Sequence, residues 1–208
     1  MYRIAGIAFA ICLAGVAGAT AQGKTQKISK NLVNKAKDTA KEIEKVTKQV
    51  DKTMDQQRKL LGKKKVKDRQ KEYKKLKNEL KKMEEAVAKV RKKAAEMEKE
   101  ADKFFTEWNK GLARIEDEEL RALSQDRFNS SRSQYAQIIG TGRLAATHYE
   151  DFVDNLRNEL SYLELDMSDE AIVQLGPKTQ ETAMQARELK NSVDSLTGKI
   201  EGYIAALQ

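Results

Sequence analysis

His148, Glu150, Asp151 and Asp154 form the sequence's densest group of side chains able to do chemistry. An imidazole and a carboxylate three residues apart share one helix face, and such a pair can hold part of a metal site or relay a proton. Zinc requires three or four ligands. With His148 the only histidine and Cys12 the only cysteine, nothing nearby completes such a set, and the group reads as a surface histidine in an acidic neighbourhood. Gly-rich phosphate loops, nucleophile elbows and zinc-protease motifs do not occur. The sequence therefore predicts no catalytic residue, no metal, no cofactor and no small-molecule substrate, that is, a protein that is not an enzyme.

The elements that would carry these side chains are helices. One proline in 208 residues and an abundance of Ala, Lys, Glu and Leu favour long helices over a sheet. From Leu76 apolar residues recur at alternating steps of three and four, through Leu80, Met83, Val87, Val90, Ala94, Met97, Ala101, Phe104 and Trp108 to Ile115. Such a seam predicts a coiled-coil-like helix over 66–114, roughly 70 Å long. A second seam, displaced in phase, runs through Phe128, Ser131, Tyr135, Ile138, Gly142, Ala145, Tyr149, Phe152, Leu156 and Leu163. A third runs from Ala186 through Leu189, Val193, Leu196, Ile200 and Tyr203 to Leu207.

Phase changes mark turns. Asp117 and Ser168 have the side-chain oxygens that cap helix N-termini, and Gly176-Pro177 should interrupt the last helix near its start. A weaker seam over 28–61 contains Leu32, Ala36, Ile43, Val46, Val50 and Leu60, but also Thr39, Thr53 and Gln57, and stops at Gly62. The expected fold class is all-α, an elongated antiparallel helical bundle or coiled coil. Its organisation is a leader at 1–21, a basic N-terminal helix at 22–62 and a long-helix antiparallel bundle at 63–208 with a three-helix core. Folding about residue 116 brings Phe104 to Phe128 and Trp108 to Leu123, so Phe104, Trp108 and Phe128 should form an aromatic plug near the hinge. Phe105, off the seam, should be partly exposed.

Arg3, the apolar run Ile4 to Val16 and the small residues ending in Ala19-Thr20-Ala21 have the three-part pattern of a secretory signal peptide cleaved after Ala21. An exported, most simply periplasmic, location follows. Cys12 lies within that leader, so the mature chain should contain no thiol and no disulfide.

Charge is split along the chain. Residues 24–93 hold 26 Lys and Arg against 10 Asp and Glu, whereas residues 94–208 hold 13 against 22. Lysines cluster at Lys63, Lys64, Lys65 and Lys67, then at Lys71, Lys74, Lys75, Lys81 and Lys82. Basic segments gain up to about 1 kcal/mol per residue near an anionic membrane, so these nine residues are the candidate interaction surface. Accessible partners of an exported chain are an anionic membrane, an envelope polymer or an acidic protein. The split also permits self-association. Export argues against nucleic acid, as does a basic region with only Tyr73 for base stacking.

The stretch "FFTEWNKGLARIEDEELRALSQDRFNSSRSQYAQII" resembles the bacterial family known as domain of unknown function 2959, through Trp108, Leu112, Leu120, Arg121, Ser124, Arg132 and Tyr135. Phe152, Leu156, Leu163, Ala171, Ile172 and Leu175 extend the likeness over roughly residues 75–207. The resemblance implies a helical exported protein and supplies no activity or catalytic residues. The combined expectation is a non-enzymatic envelope scaffold. Peripheral binding to anionic membranes and a periplasmic holdase chaperone are the alternatives.

Overall fold

Four long amphipathic helices build the molecule. The computed structural model describes residues 19–208, with side chains from Gln26 onward. In it α1 spans Ala19–Leu61, α2 Val66–Leu112, α3 Glu118–Leu165, α4 Asp169–Gln174 and α5 Gly176–Leu207. The leader expected at 1–21 lies, as far as residue 18, outside the described residues. Among the described residues no helix is long and apolar enough to cross a membrane.

Successive long helices run antiparallel. Between α1 and α2, Lys35 pairs with Glu96 and Gln49 with Glu79. Trp108 meets Ser124 and Arg91 meets Glu150 between α2 and α3, and His148 meets Ser192 and Asn155 meets Gln185 between α3 and α5. The contact of α5 with α1 closes the ring, giving an up-down-up-down four-helix bundle. With 47 and 48 residues, α2 and α3 are each about 70 Å long.

The predicted all-α antiparallel bundle is therefore present, but its core has four helices and not three. The N-terminal helix, expected as an addition to a three-helix core, packs more extensively on α2 than any other two helices pack together. Leu32, Ala36, Ile43, Val46, Val50 and Leu60 are all buried. Thr39, Thr53 and Gln57, which dilute the apolar seam, are buried as well, with their polar atoms bonded inside the bundle. Thr39 Oγ1 donates to the Lys35 carbonyl, Thr53 Oγ1 to the Gln49 carbonyl and Gln57 Nε2 to Glu159. Gly62 thus sits in a turn within one bundle.

Local chemistry sets the helix ends where the sequence placed them. Asp117 accepts from the Leu120 N–H at 2.9 Å and Ser168 Oγ from the Ala171 N–H at 3.2 Å. Pro177 stands in the first turn of α5, where its missing N–H costs nothing, and Leu175 alone separates α4 from α5.

Two glycines inside α3, Gly140 and Gly142, are costly in a helix unless they serve a close helix approach or a flexible joint. A methyl group at Gly142 would make ordinary contacts with Leu196 at 3.9 and 4.0 Å, and one at Gly140 would meet nothing within 4 Å. Gly140→Ala is therefore expected to stabilise the protein by about 0.5–1 kcal/mol through helix propensity alone. Urea denaturation checks this, and a lower midpoint would reveal a need for glycine.

Candidate functional site

All nine lysines of the predicted surface are exposed. They divide into two sets. Lys75 pairs with Glu72 at 2.8 Å and Lys82 with Glu79 at 2.6 Å, each three residues away on α2. No ion pair to a described residue holds Lys63, Lys64, Lys65, Lys67, Lys71, Lys74 or Lys81. The first three of these form the α1–α2 turn and Lys67 opens α2, so four ammonium groups without an ion pair to a described residue crowd one end of the bundle.

Arg69 anchors that end from within. Its side chain is only 4% exposed. Nε donates to the Lys63 carbonyl at 2.7 Å, Nη1 to the Met167 carbonyl at 2.6 Å and Nη2 to Asp169 Oδ1. A planar guanidinium can serve three separate acceptors at once, and here it ties the lysine turn to the connection between α3 and α4. Nearby, Tyr73 donates to Glu164 at 2.8 Å. Burial, then that carboxylate, pushes the Tyr73 hydroxyl up to about 12. The acidic side chains Glu164, Asp166, Asp169 and Glu170 and three exposed apolar ones share the same end. Leu165 is 88% exposed, Val173 76% and Val66 46%.

The charge split follows the hairpins, since the basic half supplies most of α1 and α2 while α3 and α5 lie in the acidic half. Part of it is neutralised between them. Lys77 lies 3.7 Å from Glu164, and Arg91 3.3 Å from Glu150. Two pairs run the other way, Arg157 with Glu84 at 2.7 Å and Lys190 with Asp51 at 2.5 Å. Such exposed pairs contribute at most about 1 kcal/mol each.

The aromatic plug forms at the opposite end. Trp108 packs edge-on against Phe104 and Phe128, with centroids at 5.3 and 5.8 Å. Phe105 is partly exposed as expected, yet bridges Phe104, Phe128 and Tyr135. Trp108 faces Ser124, one residue past the expected Leu123, and its indole donates to Ser124 Oγ at 3.3 Å. Leu123 is exposed. Ser131 bonds Tyr203 near the end of α5, so the first turns of α3 extend past α5 and leave Leu120 and Leu123 uncovered.

His148 does not join a metal set. Its Nδ1 shares a 2.7 Å hydrogen bond with Ser192 Oγ, linking α3 to α5. No group of three or more His, Cys, Asp or Glu among the described residues is arranged to hold a metal.

Three features escape the apolar pattern. Glu159 is buried, and its two oxygens accept from Gln57 Nε2 and Thr182 Oγ1, both at 2.5 Å. Its only sequence signal is the gap between Leu156 and Leu163 in the second seam. Arg69, four residues before Tyr73, extends the α2 contact face backward, a cue masked by the surrounding lysines. Leu165, Val173 and Val66 look unremarkable in sequence because their exposure depends on where the helices stop.

No curated protein and no solved structure matches the chain. The family model described as protein of unknown function, DUF2959, matches residues 22–207, which include nearly all of α1, and the chain belongs to that family.

Proposed function

We propose that the protein is a non-enzymatic scaffold of the bacterial envelope, a helical rod that makes its contacts through a charged end. The supporting observation is the lysine turn. Lys63, Lys64, Lys65 and Lys67 are exposed, without an ion pair to a described residue, on a turn fixed by buried Arg69. A flexible solubilising tail needs no such anchor. The signal-peptide pattern of residues 1–21 supports placing the rod in the periplasm. Cell fractionation with N-terminal sequencing tests this: a periplasmic chain beginning at Gln22 is expected, and an uncleaved cytoplasmic chain would remove the envelope role.

Exposed Leu165, Val173 and Val66 beside the lysines favour a second reading, peripheral attachment to anionic membranes. Co-sedimentation of residues 22–208 with neutral and anionic vesicles at low and physiological salt separates the two. Binding to anionic vesicles alone, lost when Lys63, Lys64, Lys65 and Lys67 become Glu, would carry the membrane reading.

A further inference from the structure

We propose that the lysine-turn end is a self-complementary surface through which two copies of this chain join end to end. The inference rests on the scaffold reading and names its partner. Three observations meet at this end. The α1–α2 turn and the start of α2 carry Lys63, Lys64, Lys65 and Lys67. The end of α3 and the start of α4, tied to that turn by Arg69, carry Glu164, Asp166, Asp169 and Glu170. Leu165, Val173 and Val66, three of the seven large apolar side chains exposed among the described residues, lie with them.

A twofold axis perpendicular to the bundle, lying between the two connections, sets the basic turn of each copy over the acidic connection of the other. Apolar side chains then meet near the centre. This is the isologous arrangement expected of a symmetric dimer. Charge complementarity selects a second copy over a lipid surface, because an anionic membrane would attract the lysines while repelling the four carboxylates at the same end of the bundle. Some of that acidic charge is already engaged: Asp169 pairs with Arg69, Glu164 lies 3.7 Å from Lys77, and the Ser168 N–H donates to Asp166 at 2.8 Å. Glu170 carries no described pair, and so remains available to a lysine of the second copy.

The end of a four-helix bundle is small. With helices packed about 10 Å apart, it offers on the order of 400 Å² per copy, below the roughly 800 Å² of a standard interface. A weak, concentration-dependent and salt-sensitive dimer follows. Such contacts suit a protein held at high local concentration within a thin compartment.

Sedimentation of the chain from Gln22, over a concentration series at low and high salt, tests the proposal, with helicity checked by circular dichroism. Dimers at low salt that dissociate at high salt are expected. Leu165→Asp should abolish them, and so should the combined Lys63→Glu, Lys64→Glu, Lys65→Glu and Lys67→Glu. Adding Asp166→Lys and Glu170→Lys to the lysine reversal should restore them, because the charges are then exchanged. Leu144→Asp, an exposed mid-bundle control, should leave them intact. A chain that stays monomeric at every concentration overturns the proposal, as does a dimer indifferent to Leu165→Asp and the lysine reversal. Binding of anionic vesicles by a persistent monomer overturns it in favour of a membrane. The frictional ratio of the high-salt monomer reports on the rod separately: an elongated monomer without dimers defeats this inference alone, and a compact one defeats the scaffold itself.

Discussion

Glu159→Ala is expected to cost about 3 kcal/mol, whereas Glu159→Gln should match or exceed the parent at neutral pH. Alanine removes the acceptor of two buried donors, Gln57 Nε2 and Thr182 Oγ1, and each donor left unpaired costs about 1–3 kcal/mol. For a chain of this size that lowers the melting temperature by roughly 6–12 °C. Glutamine keeps the volume. Its Oε1 can accept from Thr182 while its amide donates to a Gln57 that has turned its carboxamide, so residue 159 keeps a hydrogen bond to both neighbours.

The pH dependence separates charge from packing. Burial is the largest influence on Glu159 and pushes its carboxyl above the ordinary glutamate range, against the hydrogen bonds from Thr182 and Gln57, which act the other way; Glu181 adds to the rise. A group raised on folding favours the native state below its unfolded value, and that contribution fades as pH rises through the folded value. The parent should therefore lose stability over that interval relative to Glu159→Gln, which titrates nothing there. Equal pH profiles for the two proteins would mean that Glu159 is not held in a desolvated site. The carboxylates of buried Glu72 and half-buried Glu79 and Glu96 have the opposite sign, held low chiefly by hydrogen bonds from Lys75, Lys82 and Lys35 respectively. Their contribution disappears as pH falls, so it is common to both proteins and cancels in the comparison.

Glu159 also shows why the seams exposed most of the fold and little of the contact surface. A step of three and four fixes which face of a helix turns inward, and Leu76 through Phe104, Phe128 through Leu163 and Ala186 through Leu207 line the core as that spacing requires. The spacing is blind to a polar side chain buried with partners, because Gln57, Glu159 and Thr182 come from three helices and only the assembled bundle brings them together. That blindness left α1 beside a three-helix core, because Thr39, Thr53 and Gln57 dilute its apolar seam. The family match reaching back to residue 22 agrees with its inclusion. Lysines at 63–67 were legible as a cluster because they are adjacent in sequence. Leu165, Val173 and the acidic residues sharing their end come from about 100 positions away, and no local pattern connects them.

Arg69→Ala is the second large effect, with an expected cost of about 2–3 kcal/mol and an unusual distribution. Two backbone carbonyls, of Lys63 and Met167, lose a charged donor, and bonds to charged groups are worth about 1.5–3 kcal/mol each. Water can reach this end of the bundle and offsets part of the loss. Arg69→Lys should recover little, since one compact ammonium cannot serve acceptors on three sides. Because Arg69 is what joins the α1–α2 turn to the α3–α4 connection, its removal should loosen both together. Amide hydrogen exchange is expected to quicken at residues 62–70 and 166–172 well before the mid-bundle amides around Ile43 and Phe152 respond. Uniform loss of protection would instead make Arg69 an ordinary core contact. The proposed end-to-end dimer provides the decisive coupling: on that proposal its basic and acidic halves are in register only while Arg69 holds them, so Arg69→Ala should weaken association although Leu165 and every lysine are untouched. Preserved association in that variant would mean that the lysine turn is fixed by the helices alone.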